Sequence, residues 1–168
     1  MSLENTSRPG RPGPDELVPS RYALRVGDFA AVTKARLPVI ATNATLRNAA
    51  VALSGPHIGL VVICEESGSV AGVVSKSDLV RHLMLDGIPD APVAVQMSRD
   101  IVSCRPEDDL YSTWKVMAAG SLQNIPVLGT DSKPIGVLDI RDAMKGLFEH
   151  EEYQERLLFD YVAGVGYQ

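Results

Sequence analysis

The 168-residue sequence holds two cysteines, three histidines, one tryptophan and no basic excess. Each shortage removes a class of function. Cys64 and Cys104 cannot build a disulfide framework or a four-thiolate zinc site. Both lie in strand-like apolar runs and read as buried free thiols of a reducing compartment, with a disulfide the less supported alternative. His57, His82 and His150 are scattered, and none has a second ligand at zinc spacing, so no metal site is expected. No apolar run approaches the roughly 20 residues of a membrane span. The stretch Met1 to Gly10 has no apolar core of the kind a secretory signal needs, and the expected location is the cytoplasm, with no membrane partner. A net charge of −5 argues against nucleic acid as a partner. No glycine loop of the Walker type is present, and no nucleophile–base–orienter set. The expectation is a protein that is not an enzyme and requires no cofactor.

What is present is a repeated pattern. Gly72-Val73-Val74 is a short apolar run suited to a buried strand. Ser75 follows at the N-cap position of a helix, and Asp78 falls three residues later, the spacing of a capping box. Leu79, Val80, Leu83 and Met84 then give that helix an apolar face. The same order returns in Gly136-Val137-Leu138-Asp139-Ile140-Arg141-Asp142-Ala143-Met144, where Asp142 stands 64 positions after Asp78. A repeat of that length is a supersecondary unit used twice.

Residues 1–19 carry Pro9, Pro12, Pro14 and Pro19 and read as a disordered tail. Residues 20–88 form the first unit. It has a lead-in turn around Val26 to Ala31, a strand over Leu37 to Ala41 and a helix capped by Thr45 that buries Leu46, Ala49, Ala50 and Leu53. Gly55-Pro56 ends that helix. An all-apolar strand over Gly59 to Cys64, a turn over Glu65 to Ser69 and a strand over Val70 to Val74 lead into the Ser75 helix. Asp86 to Pro92 is the break. Residues 89–148 repeat the order. Val93 to Met97 leads in, and Ile101 to Cys104 is a strand. Asp108 or Asp109 caps a helix with Leu110, Trp114 and Met117 on one face. Ile125 to Leu128 and Ile135 to Leu138 are strands around a turn at Gly129 to Lys133, and Asp142 to Phe148 is a helix. Each unit is a mixed three-stranded sheet carrying two helices, and two copies can bury their apolar faces together.

Residues 149–168 are extra to the repeat. Tyr153, Leu157 and Tyr161 share a stripe, with Leu158 and Val162 beside it. This reads as a helix to about Ala163, ended by Gly164. It either packs on its own chain or serves as a dimer contact or coupling element.

Two such units, each ending in a glycine, two apolar residues, a short polar step and an aspartate before an apolar helix, resemble a pair of cystathionine-β-synthase (CBS) domains, a Bateman module. Asn124-Ile125-Pro126-Val127-Leu128 is similar to that family's second strand. The first unit has Gly59-Leu60-Val61-Val62 there and lacks the proline. The resemblance implies an α/β (α+β) fold of two βαββα units packed face to face with pseudo-two-fold symmetry, plus the C-terminal helix. It implies a regulatory module that binds an adenosine-containing ligand (AMP, ADP, ATP or S-adenosylmethionine) between the units. It also implies a homodimer that acts on an effector protein not identified by the sequence.

Carried over by position, Asp78 and Asp142 match the carboxylate that accepts ribose hydroxyls, and Ser75 matches the helix-capping hydroxyl near a phosphate. Asp139 departs from the family's Ser or Thr and would repel a phosphate at short range. Lys76 and Arg141 stand beside the motifs and could offset anionic charge. The same alignment sets Asp142 and Asp139 opposite Ala41, Thr42, His57 and Ile58, and sets Asp78 and Ser75 opposite Cys104, Arg105, Gln123 and Asn124. Both motifs also cap helices without any ligand. The alternative is therefore a structural or protein-interaction module with degenerate pockets, acting through its C-terminal helix.

Overall fold

The computed structural model describes residues 23–85 and 87–165. The proline-rich tail expected over residues 1–19 lies outside them. In the first half, α1 (Ala30–Ala35) follows a 3-10 turn at Val26–Phe29; β1 (Val39–Ala41), α2 (Leu46–Leu53), β2 (Leu60–Cys64), β3 (Val70–Ser75) and α3 (Lys76–Met84) come next. The second half carries α4 (Leu110–Ala119), β4 (Asn124–Leu128), β5 (Pro134–Asp139) and α5 (Ile140–Val165).

β1 runs parallel to β2, with Val39 opposite Val62, and β2 runs antiparallel to β3, with Val61 opposite Val74. The parallel pair needs a crossover, and α2 supplies it; the antiparallel pair needs only a tight turn. That turn closes through Glu65 N–H to Ser69 C=O (2.9 Å) and Gly68 N–H to Glu65 C=O (2.9 Å), with Gly68 at φ 84°. In the second half, β4 and β5 pair antiparallel. The strand expected over Ile101 to Cys104 is reduced to a single parallel bridge, Cys104 to Val127. Its ladder stops because the chain turns at once into Pro106, whose carbonyl instead accepts the N–H of Gly27 (2.8 Å).

The lead-in segments cross between halves. Val26, Leu24 and Phe29 pack with Leu110, Met117, Ile125 and Leu138 of the second half. Val93 and Met97 pack with Leu46, Leu53, Val61 and Ile63 of the first. Backbone bonds repeat this exchange. Leu110 N–H donates to Leu24 C=O (2.8 Å), and Leu46 N–H donates to Ala91 C=O (2.9 Å). A third cluster joins Leu60, Val62 and Cys64 of β2 to Val137 of β5, so the two sheets meet face to face. α1 also lies on β5. A Cβ on Gly136 would stand 2.6 Å from Thr33 Oγ1, so glycine permits that approach.

Two helix expectations need correction, and one apolar helix face lies uncovered. Ala50 is exposed, while Leu46, Ala49 and Leu53 form the buried face of α2. α3 buries no residue fully; Leu79 is half-buried, while Val80, Leu83 and Met84 are 60%, 58% and 78% exposed. Among the described residues its main packing is against α2 and β3. The last helix is not two elements. α5 runs unbroken over 26 residues, because nothing between Leu147 and Ala163 is Gly or Pro, and it carries Gly164 inside. Of the expected stripe, Tyr153 is exposed; the side chains of Leu157, Leu158, Tyr161 and Val162 lie outside the described residues.

Candidate functional site

Ser75 ends β3 with extended backbone (φ −102°, ψ 169°) and caps α3. Its Oγ accepts the N–H of Asp78 (3.3 Å). Asp78 Oδ2 accepts both the N–H of Ser75 (2.8 Å) and its hydroxyl (2.6 Å). Among the described residues, Asp78 Oδ1 meets only the exposed Arg81, at 3.3 Å. Of the free N–H groups in the first turn of a helix, the box uses that of Asp78. Those of Lys76 and Ser77 make no bond outside the helix among the described residues.

This box sits on the wall of a groove of about 570 Å³. His57 to Leu60, Val73 and residues 75–78 come from the first half. Ser98, Asp100, Val102, residues 121–126 and Arg141 come from the second. Of the residues expected around Asp78 and Ser75, this groove is lined by Lys76, Gln123 and Asn124 and not by Cys104 or Arg105. His57, Ile58 and Arg141, expected with the second motif, line it as well, whereas Ala41 and Thr42, expected with that motif too, do not. Cys104 is buried and makes part of a separate hollow with Asp109 and Thr113. Burial, with the charge of Asp108 adding, pushes its thiol up to about 12. Cys64 is also buried, which raises its thiol too, and both cysteines are free.

Other details of the groove escaped the sequence. Gly59 lets the Asn124 amide lie against the backbone: a Cβ there would fall 2.3 Å from Asn124 Nδ2. Asn124 Oδ1 is buried with no hydrogen-bond partner among the described residues. His57 adopts φ 63°, a left-handed backbone uncommon outside glycine. Asp100 adds a carboxylate that no motif pointed to.

The second motif is built differently. Asp139 is 1% exposed at the end of β5. Its Oδ1 accepts the Arg141 backbone N–H (2.8 Å) and Nε (3.0 Å), and its Oδ2 accepts Nη2 (2.7 Å). Burial opposes ionisation, but these bonds and the charges of Arg141 and Arg36 outweigh it and hold the carboxyl below its usual range. Asp142 is bound by Arg36 through Nε to Oδ2 (2.5 Å) and Nη2 to Oδ1 (3.0 Å). The third arm of Arg36, Nη1, donates to the His57 carbonyl (2.6 Å) and lies 3.9 Å from Asp139 Oδ2. Arg36 thus links the His57 carbonyl to the Asp142 carboxylate.

Among the described residues no cluster of His, Cys, Asp and Glu could hold a metal ion, and no helix is long and apolar enough to cross a membrane.

The family model for the CBS domain matches residues 26–85 and 93–149. An uncharacterized 17.7 kDa protein of Acidianus ambivalens is 22% identical over 135 residues, 80% of this chain and 82% of that one. Arabinose 5-phosphate isomerase GutQ of Shigella flexneri is 26% identical over 106 residues, 63% of this chain but only 33% of the enzyme. Among solved structures, a CBS-domain protein of Agrobacterium tumefaciens superposes with a TM-score of 0.64 at 23% identity, covering 73% of this chain and 98% of that one. A CBS domain pair solved with 5′-methylthioadenosine and S-adenosyl-L-methionine gives 0.65 at 16%, covering 77% and 98%. A CBS domain protein of Pyrobaculum aerophilum solved with AMP gives 0.64 at 21%, covering 71% and 89%. With the matched residues spanning both halves of the fold, the chain belongs to the CBS domain family as a tandem pair, a Bateman module.

Proposed function

We propose that this chain is a non-catalytic regulatory module that binds an adenosine-containing ligand in the groove of Ser75 and Asp78. The observation that carries the reading is a half-engaged carboxylate, Asp78, beside free helix-start N–H groups on the wall of a groove shared by both halves. A carboxylate oxygen accepts from ribose hydroxyls. A helix N-terminus favours phosphate, Lys76 adds positive charge on the same wall, and Arg141 lines the groove from the second half. Apolar Ile58, Leu60, Val73 and Val102 suit a base. The ligands of the solved pairs, AMP in one and S-adenosyl-L-methionine with 5′-methylthioadenosine in another, support the same class here.

The module works as a homodimer on an effector protein. The exposed apolar side of α3, at Val80, Leu83 and Met84, supports contact with a second copy. α5 starts beside Asp139 and Asp142 and exposes Phe148, Tyr153 and Phe159, which supports a role as the output to the effector. That same helix supports the second reading, a protein-interaction module whose grooves stay empty.

Thermal unfolding with AMP, ADP, ATP and S-adenosylmethionine separates them. A ligand at 100 times its dissociation constant adds about 2.7 kcal/mol of stability. The regulatory reading expects such a shift with at least one of the four. No shift with any of them overturns it and leaves α5 as the functional element.

A further inference from the structure

The two motifs repeat in sequence but not in what they hold. The Asp78 carboxylate faces a groove; the Asp142 carboxylate is taken by Arg36, a residue 106 positions away. That guanidinium has three engaged arms, on Asp142 Oδ2, Asp142 Oδ1 and the His57 carbonyl. Its side chain is 13% exposed, and Asp139 lies within ion-pair range behind it. We propose that Arg36 is a built-in occupant of the second site, so that the chain binds one adenosine-type ligand, at Asp78, and not two.

The proposal rests on the functional reading of the first groove, and simple competition argues for it. A ribose presents two neutral hydroxyl donors to a carboxylate. Arg36 presents two parallel N–H donors with a full charge, and charge-assisted pairs are roughly twice as strong as neutral ones. Arg36 is also tethered, so its effective concentration is on the order of millimolar without any free ligand. A ligand reaching Asp142 must strand a guanidinium that is mostly buried, and must do so beside Asp139, which repels a phosphate. Among the described residues the first motif has no such competitor. Arg81 reaches Asp78 by one arm at 3.3 Å from an exposed position, and Ser75 stands where the second motif has Asp139.

Equilibrium dialysis of the full chain with radiolabelled adenosine and AMP tests the proposal. The wild type should bind one ligand per chain, and Asp78→Asn should weaken that binding at least tenfold. Arg36→Ala should bind two adenosines per chain, the second surviving in the Arg36→Ala, Asp78→Asn double variant. Arg36→Gln serves if the alanine variant does not fold. Two ligands per wild-type chain, or one full-affinity ligand persisting in Asp78→Asn, overturns the built-in occupant and leaves adenosine binding intact. A folded Arg36 variant that still binds one ligand overturns it as well. No binding by the wild type with one adenosine bound by Arg36→Ala supports the occupant and overturns the functional reading of the first groove. No binding by any variant overturns both.

Discussion

Asp78 has two jobs in this structure, and they can be separated by one atom. Asp78→Ala removes the carboxylate from the capping box, which costs about 1 kcal/mol of folding stability. Asp78→Asn keeps a carbonyl oxygen to accept from the Ser75 N–H and hydroxyl, now made by Oδ2 at 2.8 and 2.6 Å, so its stability should fall by less than that. Both variants lose the negative charge that a ribose hydroxyl would bond. A hydrogen bond to a charged group is worth about 1.5–3 kcal/mol, and about 1.4 kcal/mol is tenfold in affinity. AMP affinity should therefore drop roughly 10- to 100-fold in both variants. The loss of the Arg81 pair adds little, because Arg81 is exposed. Urea unfolding gives the stability and isothermal titration gives the affinity. If Asp78→Asn binds AMP as the wild type does, or if affinity falls only in step with stability, the carboxylate is a helix cap and nothing more.

Four further outcomes follow from the geometry. Asp139 has its carboxyl held below the usual range, so its contribution is present above the unfolded value, about pH 3.9, and is lost as pH falls through the lower folded value. The gap in urea midpoint between wild type and Asp139→Asn should thus be constant from pH 7 to 5 and shrink on acidification below 4; a gap that widens refutes the assignment. Gly136→Ala places a Cβ against Thr33 and should cost about 1–3 kcal/mol in urea unfolding, and an unchanged midpoint would show that α1 does not press on β5. Cys64 and Cys104 are buried with raised thiols, so a thiol reagent at pH 8 should label neither until the protein unfolds; rapid labelling of the native protein contradicts their burial. Leu83→Glu on the open side of α3 should shift the sedimentation of the proposed dimer toward monomer without lowering the unfolding temperature, and an unchanged dimer moves the interface elsewhere.

The sequence was most readable where the physics is local. Ser75 and Asp78 are three residues apart, and the capping box they imply is present. The repeat carries its own long-range information, because a unit used twice must bury its open face on its copy. Separation erased the rest. Nothing near Arg36 marks it as the partner of Asp142, since ion pairing across 106 positions leaves no pattern in either neighbourhood. The exchange of Val26 and Val93 between the two cores is hidden for the same reason. Periodicity left one question open. Val80, Leu83 and Met84 have the spacing of a buried helical face, yet they are exposed, because spacing says that a face is apolar and not what covers it. Gly164 looked like a helix terminator but lies within α5, after a stretch, residues 147–163, with neither Gly nor Pro.

The most direct measurement is a crystal structure of the protein soaked with AMP. The account predicts one nucleotide per chain, with its ribose against Asp78 and its phosphate toward Ser75 and Lys76, and Arg36 still closed on Asp142. Nucleotide density at Asp142 with Arg36 swung aside, or an empty Asp78 groove at saturating AMP, would contradict it.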